Sequence, residues 1–407
     1  MKSVEAHLAD CLDPIAPLSP ISLQLLDAQG CVLAEDIVAQ RALPPFDNSA
    51  MDGYAVRAED VRNATEADPV VLPVTGDLPA GTVAAYALGQ GAAIRIMTGA
   101  PVPAGADAIV PIEMTDAGLA RVSIKAPAEA GRHIRRTGDD VPAGETVLTA
   151  GTRLGPRHLA LLAAIGLDRV LARPKPRVVV ISTGSELVEP GQPLGSGQIS
   201  ESNSFMLTAA AHEAGATAFR VGTVPDDPRA LLSAIEDQLI RADLVITTGG
   251  VSVGAYDVVK EVLSRLGTVS FDKVAMQPGM PQGRGTIGPD STPILTFPGN
   301  PVSAYVSFEV FGRPVLRRML GAETVHRPEV RAVCLERFSS PEGRRQFARG
   351  VLTVEEGRYV VRPLTGQSSH HVRSLGAANA LIVVPENVTE VAAGSPMTVM
   401  VLERRAV

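Results

Sequence analysis

Glycines, hydroxyls and single carboxylates recur in this chain directly after short apolar runs. Residues 182–186 read STGSE and 224–227 read VPDD. Residues 247–254 read TTGGVSVG with Asp257 just beyond, and 297–303 read FPGNPVS. A glycine-rich turn that leads into a helix leaves backbone N–H groups free to hold a phosphate or another anion. Gly184, Gly249, Gly250 and Gly254 supply such turns, and Ser182, Thr183, Thr248 and Ser252 add hydroxyls. Pro298, Gly299, Asn300 and Pro301 form a stiff loop that can approach a ligand closely. Glu186, Asp226 or Asp227, and Asp257 could share a hard divalent cation such as Mg2+, which prefers carboxylate oxygen and keeps waters. Residues of these types suit a phosphorylated or oxyanionic substrate held beside a cation.

Each feature also has an ordinary structural reading. TTGG alone fits a plain strand-to-helix turn. Asp227 is placed to cap a helix that begins at Pro228, which leaves Asp226 as the freer carboxylate, although spacing does not choose between them. Glu186 could be a first-turn acid favoured by a helix dipole. What argues for a site is that four such segments should meet at one sheet edge.

The elements that must position them alternate. RVVVIST (177–183) is a continuous β-branched run, as in a strand buried on both faces. A helix over 204–214 follows, with Asn203 as its cap and Gly215 as its stop. Next come a strand over 219–224 and a helix over 228–240, whose Leu231, Ile235 and Leu239 share a face. A strand over 243–248, a helix near 257–266, a strand over 294–297 and one long helix over 302–319 complete the series. Such βαβ alternation predicts a parallel sheet with its ligand at the carboxyl ends of the strands.

Upstream, Val4, Leu8 and Leu12 mark a short helix, and Leu23 and Leu26 suggest a second one stopped by Gly30. A strand-like VLAEDIVA (32–39) follows. Residues 46–140 alternate Gly, Pro and short apolar runs, which suggests a small β domain. LGPRHLALLAAIG (154–166) reads as a helix with Pro156 first and Gly166 at its stop. The proline-interrupted tract 172–177 is a linker. Beyond Gly321 strand patterns return, with turns such as Glu356-Gly357, and predict a small C-terminal β barrel. The expected fold is therefore multidomain α/β plus β. Residues 1–45 with 141–174 form an elongated N-terminal domain, 46–140 an inserted β domain, 175–321 a three-layer α/β/α domain and 322–407 the barrel.

Composition narrows the function. The 407 residues are 45% apolar and carry a formal net charge of −7. A nucleic-acid binder needs a basic surface, so that class is disfavoured. Of 37 basic residues only five are lysine, so bidentate anion contacts would come from arginine. Cys11, Cys31 and Cys334 are distant and odd in number, as in a reduced cytoplasmic protein. The acidic, run-free N-terminus does not read as a signal peptide, and no stretch approaches the roughly 20 apolar residues of a membrane span.

At this point the chain resembles the MoeA family, which includes the E domain of gephyrin. PFDNSAMDGYAV (45–56) carries most of the resemblance. It is joined by RIMTGAPVP (95–103), RRTGDDVPAG (135–144), TTGGVSVG with Asp257, and PGNPVSA (298–304). The resemblance implies a molybdenum insertase. Adenylylated molybdopterin and molybdate would give molybdenum–molybdopterin and AMP, with Mg2+, in a four-domain homodimer. A molybdopterin adenylyltransferase and downstream molybdoenzyme maturation proteins would be its partners.

Matched motif by motif, the acidic site residues are Asp52, Asp140, Glu186, Asp226 or Asp227, and Asp257. Thr98 and Gly99 match a further loop, Pro298 and Pro301 the PGNP prolines, and Arg349 and Ser369 the residues that close the site. Glu186, Asp226 and Asp257 would serve Mg2+ or water. The segment that many members write KPGKP is here Gln277-Pro278-Gly279-Met280-Pro281, without either lysine. Gln277 keeps hydrogen-bond donors, and Arg284 or Lys273 are candidate replacement charges, so altered oxyanion affinity is expected. His370 and His371 read as a solvated pair more readily than as metal ligands. His133, Arg135 and Arg136 could meet phosphate or solvent. Two other functions fit parts of the sequence. An adenylyltransferase shares the TTGG loop but not PFDNSAMDGYAV, and a scaffold would tolerate loss of Asp257.

Overall fold

Val178, Val179, Val180 and Ile181 are all fully inaccessible to solvent. They belong to β1 (Arg177–Ser182), inside a six-stranded sheet. The computed structural model describes residues 1–82, 87–250 and 258–403, so Ser252, Gly254 and Asp257 lie outside the described residues. The other strands are β2 (Thr217–Arg220), β3 (Leu244–Thr248), β4 (Gly267–Lys273), β5 (Pro281–Ile287) and β6 (Thr292–Phe297), in the order β2-β1-β3-β6-β5-β4. Strands β2, β1, β3 and β6 run parallel. The register sets Ser182 opposite Thr248 and Thr248 opposite Phe297, so the carboxyl ends of three strands finish level.

The sheet is parallel-rich as expected; the two remaining strands, β4 and β5, which the alternation did not include, pair antiparallel along one edge. Their sequences hide this. A Cβ on Gly285 would sit 2.1 Å from Thr268 O, and one on Gly283 would meet the Phe271 ring. The glycines of β5 permit close packing with β4, and they also erase the apolar alternation that marks a strand.

Helices cover both faces. Helix α1 (Val4–Leu12), α2 (Asn203–Ala214), α5 (Pro301–Ser307) and α6 (Arg313–Met319) share a core with Val178, Val180, Leu244 and Ile246. On the other face α3 (Pro228–Leu239) and α4 (Val258–Leu266) pack with Val179, Ile181 and Val245. Alternate residues of β1 and β3 thus feed opposite cores, which gives the three layers. The single helix expected over 302–319 is interrupted by a π turn at Phe308–Gly312. Pro314 lacks an N–H and its ring crowds the carbonyl four residues back, and the wider turn just before it relieves both problems.

Glu309, in that turn, is 1% exposed. It accepts from Arg313 Nε at 2.8 Å and from Arg327 Nε and Nη2 at 2.8 and 3.0 Å. Burial alone would raise the Glu309 carboxyl, but the Arg327 hydrogen bonds and the Arg313 charge outweigh it and hold the group below its ordinary value.

Strands Glu329–Cys334, Arg345–Glu355, Arg358–Pro363, Ala380–Val384 and Pro396–Val401 close on themselves as a barrel. Its tightest hairpin turns at Glu356 and Gly357, both with positive φ (49° and 74°), as a two-residue turn requires. A short strand at Met276–Gln277 adds to it in parallel, opposite Arg345–Gln346.

By contacts the chain divides into two units. One is Met1–Ser22, Gly30–Ala34 and Leu171–Val407, and the other is Leu23–Gln29 and Glu35–Val170. The second unit holds a five-stranded sheet in the order Ala108–Pro111, Gly53–Val56, Ala93–Ile96, Val70–Leu78, Arg121–Ile124. It also holds the helix Pro156–Ala164, with Gly166 at φ +87° behind it. The helix expected from Leu23 and Leu26 is absent. Ile21–Gln24 is a strand in a three-stranded sheet with Arg169–Arg173 and Val32–Leu33, and a brief turn follows it. Leu26 is 82% exposed, so it has no apolar face to share with Leu23.

Candidate active site

The level ends of β1, β3 and β6 open onto a cavity of about 710 Å³. Ser182, Thr183, Gly184, Glu186, Asp226, Thr248, Gly249 and Gly250 line it from the sheet edge. Gln277, Pro278, Pro298, Gly299, Asn300 and Pro301 line it from neighbouring loops, and Ser369 and His370 from the barrel unit's loop. Most of the residues nominated from the α/β sequence therefore meet in one place.

The floor is tight. Gly249 has φ +97°, and a Cβ there would lie 2.3 Å from Thr183 O. Gly250 has φ +63°, and its Cβ would collide with Val259 Cγ2 at 2.2 Å. Only glycine satisfies both the left-handed backbone and the close approach at these positions. Gly249 N is already engaged, donating to Phe297 O at 3.2 Å, whereas Gly250 N has no hydrogen-bond partner among the described residues and is left for a ligand.

The two aspartates separate cleanly. Asp227 caps α3, its Oδ1 accepting from Ala230 N at 2.8 Å. Asp226 lines the cavity, and Ser185 N donates to its Oδ2 at 3.2 Å while Ser185 Oγ accepts from Asp226 N at 3.1 Å. Glu186 has no hydrogen-bond partner for its carboxylate among the described residues. Thr183 Oγ1 is buried without a partner. This all-oxygen set suits a hard, partly hydrated cation held by one or two carboxylates and by substrate phosphate. Among the described residues no three His, Cys, Asp or Glu side chains group closely enough to hold a metal by themselves.

Two residues that sequence reasoning did not place here prove central. Glu201 is 2% exposed and lines the cavity, but its oxygens are taken by Ser204 N at 2.8 Å and Ser204 Oγ at 2.6 Å. Asn203 was expected to cap α2, yet it is the first residue of that helix and makes no cap. Instead its Nδ2 donates to Thr248 Oγ1 at 3.0 Å and to Gly299 O at 2.7 Å. Thr248 Oγ1 in turn donates to Pro298 O at 3.0 Å. Asn203 thus ties the end of β3 to the PGNP loop, and an Asn before an apolar helix signals only a cap. Asn203→Ala strips the partner from Gly299 O and is expected to cost about 1–3 kcal/mol. Urea unfolding measures this, and a loss well below that range would show that the tie is incidental.

Arg349 is fully buried and has no carboxylate partner among the described residues. Its Nε donates to Ser374 Oγ at 2.8 Å, and Nη2 donates to Gly366 O at 2.7 Å and Ser368 O at 3.1 Å. Burial pulls its pKa down to about 10, which still leaves it charged at neutral pH. Nη1 is buried without a partner. Arg349 does not itself line the cavity but braces the loop that carries Ser369, whose Oγ accepts from Asn300 Nδ2 at 2.9 Å.

The expected replacement charges fall elsewhere. Arg284 pairs with Asp10 at 2.6 Å in a different cavity, and Lys273 does not line this one. His370 and His371 stack edge to face at 4.4 Å, and neither joins a ligand cluster among the described residues.

In the second unit Thr98 donates from both N and Oγ1 to Asp52 Oδ1, at 2.7 and 2.8 Å. These bonds hold the Asp52 carboxyl below its ordinary value. Gly99 has φ +81° and donates to Ser49 O at 2.9 Å. Asp140 is exposed, its N donating to Leu43 O at 3.0 Å. His133 has φ +58°, and Arg136 pairs with Asp47 at 2.6 Å.

Residues 2–166 match the "MoeA N-terminal region (domain I and II)", 179–318 the "Probable molybdopterin binding domain" and 331–402 the "MoeA C-terminal region (domain IV)". The chain is 50% identical over 405 residues to molybdopterin molybdenumtransferase 2 of Mycobacterium tuberculosis, covering 98% of this chain and 99% of that protein. To molybdopterin molybdenumtransferase 1 of the same organism it is 39% identical, with 99% of each chain covered. A crystal structure of the molybdopterin biosynthesis MoeA protein from Pyrococcus horikosii superposes with a TM-score of 0.80 at 33% identity, covering 98% of this chain and 99% of that one. With likeness of this extent in both sequence and fold, the chain belongs to the MoeA family.

Proposed function

We propose that this protein is a transferase that inserts molybdenum into molybdopterin: it takes adenylylated molybdopterin and molybdate and releases molybdenum–molybdopterin and AMP. The observation that carries the reading is the cavity itself. The glycine turn with its unpartnered Gly250 amide, oxygens at Glu186 and Thr183 without partners among the described residues, and the Asn300–Ser369 pair line one space, in a chain 50% identical over 405 residues to a molybdopterin molybdenumtransferase.

The residues divide the work by their chemistry. The glycine turn and the hydroxyls of Ser182 and Thr183 hold the phosphate through directed N–H and O–H donors. Glu186 and Asp226 orient water or a hydrated Mg2+. When bound, that cation would neutralise the phosphate and polarise the bond to the leaving AMP. Gln277 and the loop braced by Arg349 receive the oxyanion. Asn203 and Thr248 keep the two floor loops in register. The protein is expected to act as a cytoplasmic homodimer, alongside an adenylyltransferase upstream and maturation proteins downstream.

The decisive experiment adds molybdate to the protein and adenylylated molybdopterin and follows AMP. Release that requires molybdate and stops with EDTA supports the reading. ATP consumption without molybdate dependence would instead assign an adenylyltransferase, and binding with no turnover a scaffold.

A further inference from the structure

The described lining of the cavity contains three carboxylates, Glu186, Glu201 and Asp226, and no lysine or arginine. An oxyanion entering such a space is repelled unless cations stand directly behind the wall. Gln277 is part of that wall, and its Oε1 accepts from Arg344 Nη1 at 3.3 Å. With the oxygen engaged, the group that Gln277 has left for a ligand is its NH2. The Arg344 side chain has no other polar partner among the described residues, whereas its neighbour Arg345 pairs with Glu5 and, at 3.0 Å, with Glu386.

The arrangement is held from both sides. Met276–Gln277 pairs with Arg345–Gln346, and Arg345 N donates to Ala275 O at 2.9 Å, which fixes Arg344 beside Gln277. Downstream, Gln282 Nε2 donates to Gly279 O and to Ser307 Oγ, both at 2.6 Å, and secures the rest of the turn.

We propose that Arg344 is a positioning residue for the oxyanion substrate. It fixes the Gln277 carboxamide so that the NH2 donates to the oxyanion, and it supplies positive charge that the described wall lacks. The assignment rests on the reading that this cavity receives an oxyanion. A neutral amide backed by a guanidinium selects its ligand by directed hydrogen bonds, with the charge one step removed.

Equilibrium dialysis of molybdate, in the wild type, Arg344→Met, Arg344→Lys and Gln277→Leu, tests it, together with the molybdate dependence of AMP release and thermal unfolding. Arg344→Met is expected to raise the Kd and KM for molybdate about tenfold, the scale of one charge-assisted hydrogen bond. Arg344→Lys should recover most of that loss, and kcat at saturating molybdate should change less than KM. Gln277→Leu should weaken binding to a similar degree. Unchanged Kd in Arg344→Met, or a joint fall of kcat and Tm with Kd intact, would overturn the assignment while leaving the proposed reaction standing. Weaker molybdate binding in Arg344→Met, in a wild type that releases no AMP, would support the assignment and overturn the reaction.

Discussion

Glu186→Gln is expected to lower molybdate-dependent AMP release by about 10²–10³-fold, the scale on which one preorganised electrostatic partner is removed from a reacting centre. Asp226→Asn should lose less, because Ser185 N already shares one of its oxygens. Glu186 lines the cavity and is exposed, with no hydrogen bond to its carboxylate among the described residues, so water satisfies the charge and the fold does not depend on it. Neutralising it therefore costs little stability, so the Tm of Glu186→Gln should stay within about 2–3 °C of wild type. Glu201 is the internal control. Both of its oxygens serve Ser204, so Glu201→Gln should destabilise the turn before α2 as well as lower turnover. If Glu186→Gln turned over at the wild-type rate, the carboxylate would be ornamental and the cation site would have to be sought elsewhere.

The same contrast between engaged and free groups explains what could be read in advance. Strands β1 and β3 were legible because both faces are buried, which forces continuous β-branched runs. The glycine turn and the PGNP loop were legible because positive φ and a stiff approach demand particular residues. Asp226 and Asp227 were not separable by spacing. Only the direction of helix α3 decides that Asp227 caps it. Asn203 misled for a related reason: its place before an apolar helix has a local explanation, whereas its contacts with Thr248 and Gly299 come from distant loops. Strands β4 and β5 are local neighbours, but the glycines of β5 erase the apolar alternation that would mark it, whereas the barrel strand Ala380–Val384 lies against Gln346–Gly350, a partner remote in sequence that no local pattern encodes. The Arg344–Gln277 contact depends on distance in the same way, since a parallel pairing across 69 residues creates it.

Glu309→Ala is expected to cost about 3–5 kcal/mol, the price of leaving buried guanidinium groups without their counter-charge. Arg313 and Arg327 both have side chains 9% exposed, so neither can turn to water when the carboxylate goes. Glu213 also reaches them, at 3.4 and 2.7 Å, but it is 55% exposed and compensates only in part. The pH dependence has a definite sign. Because the folded-state pKa of Glu309 lies below its ordinary value of 4.5, its contribution is complete above that value. The contribution is then lost as pH falls through the depressed folded value. Urea unfolding of wild type and Glu309→Ala should therefore differ most at neutral pH and converge in acid. A triple exchange, Glu309→Leu with Arg313→Met and Arg327→Leu, should recover most of the neutral-pH stability, since well-packed apolar groups replace buried ion clusters without loss. If Glu309→Ala alone unfolded at wild-type urea concentrations, the π turn that carries Glu309 would owe its position to Pro314 and Gly312 rather than to charge.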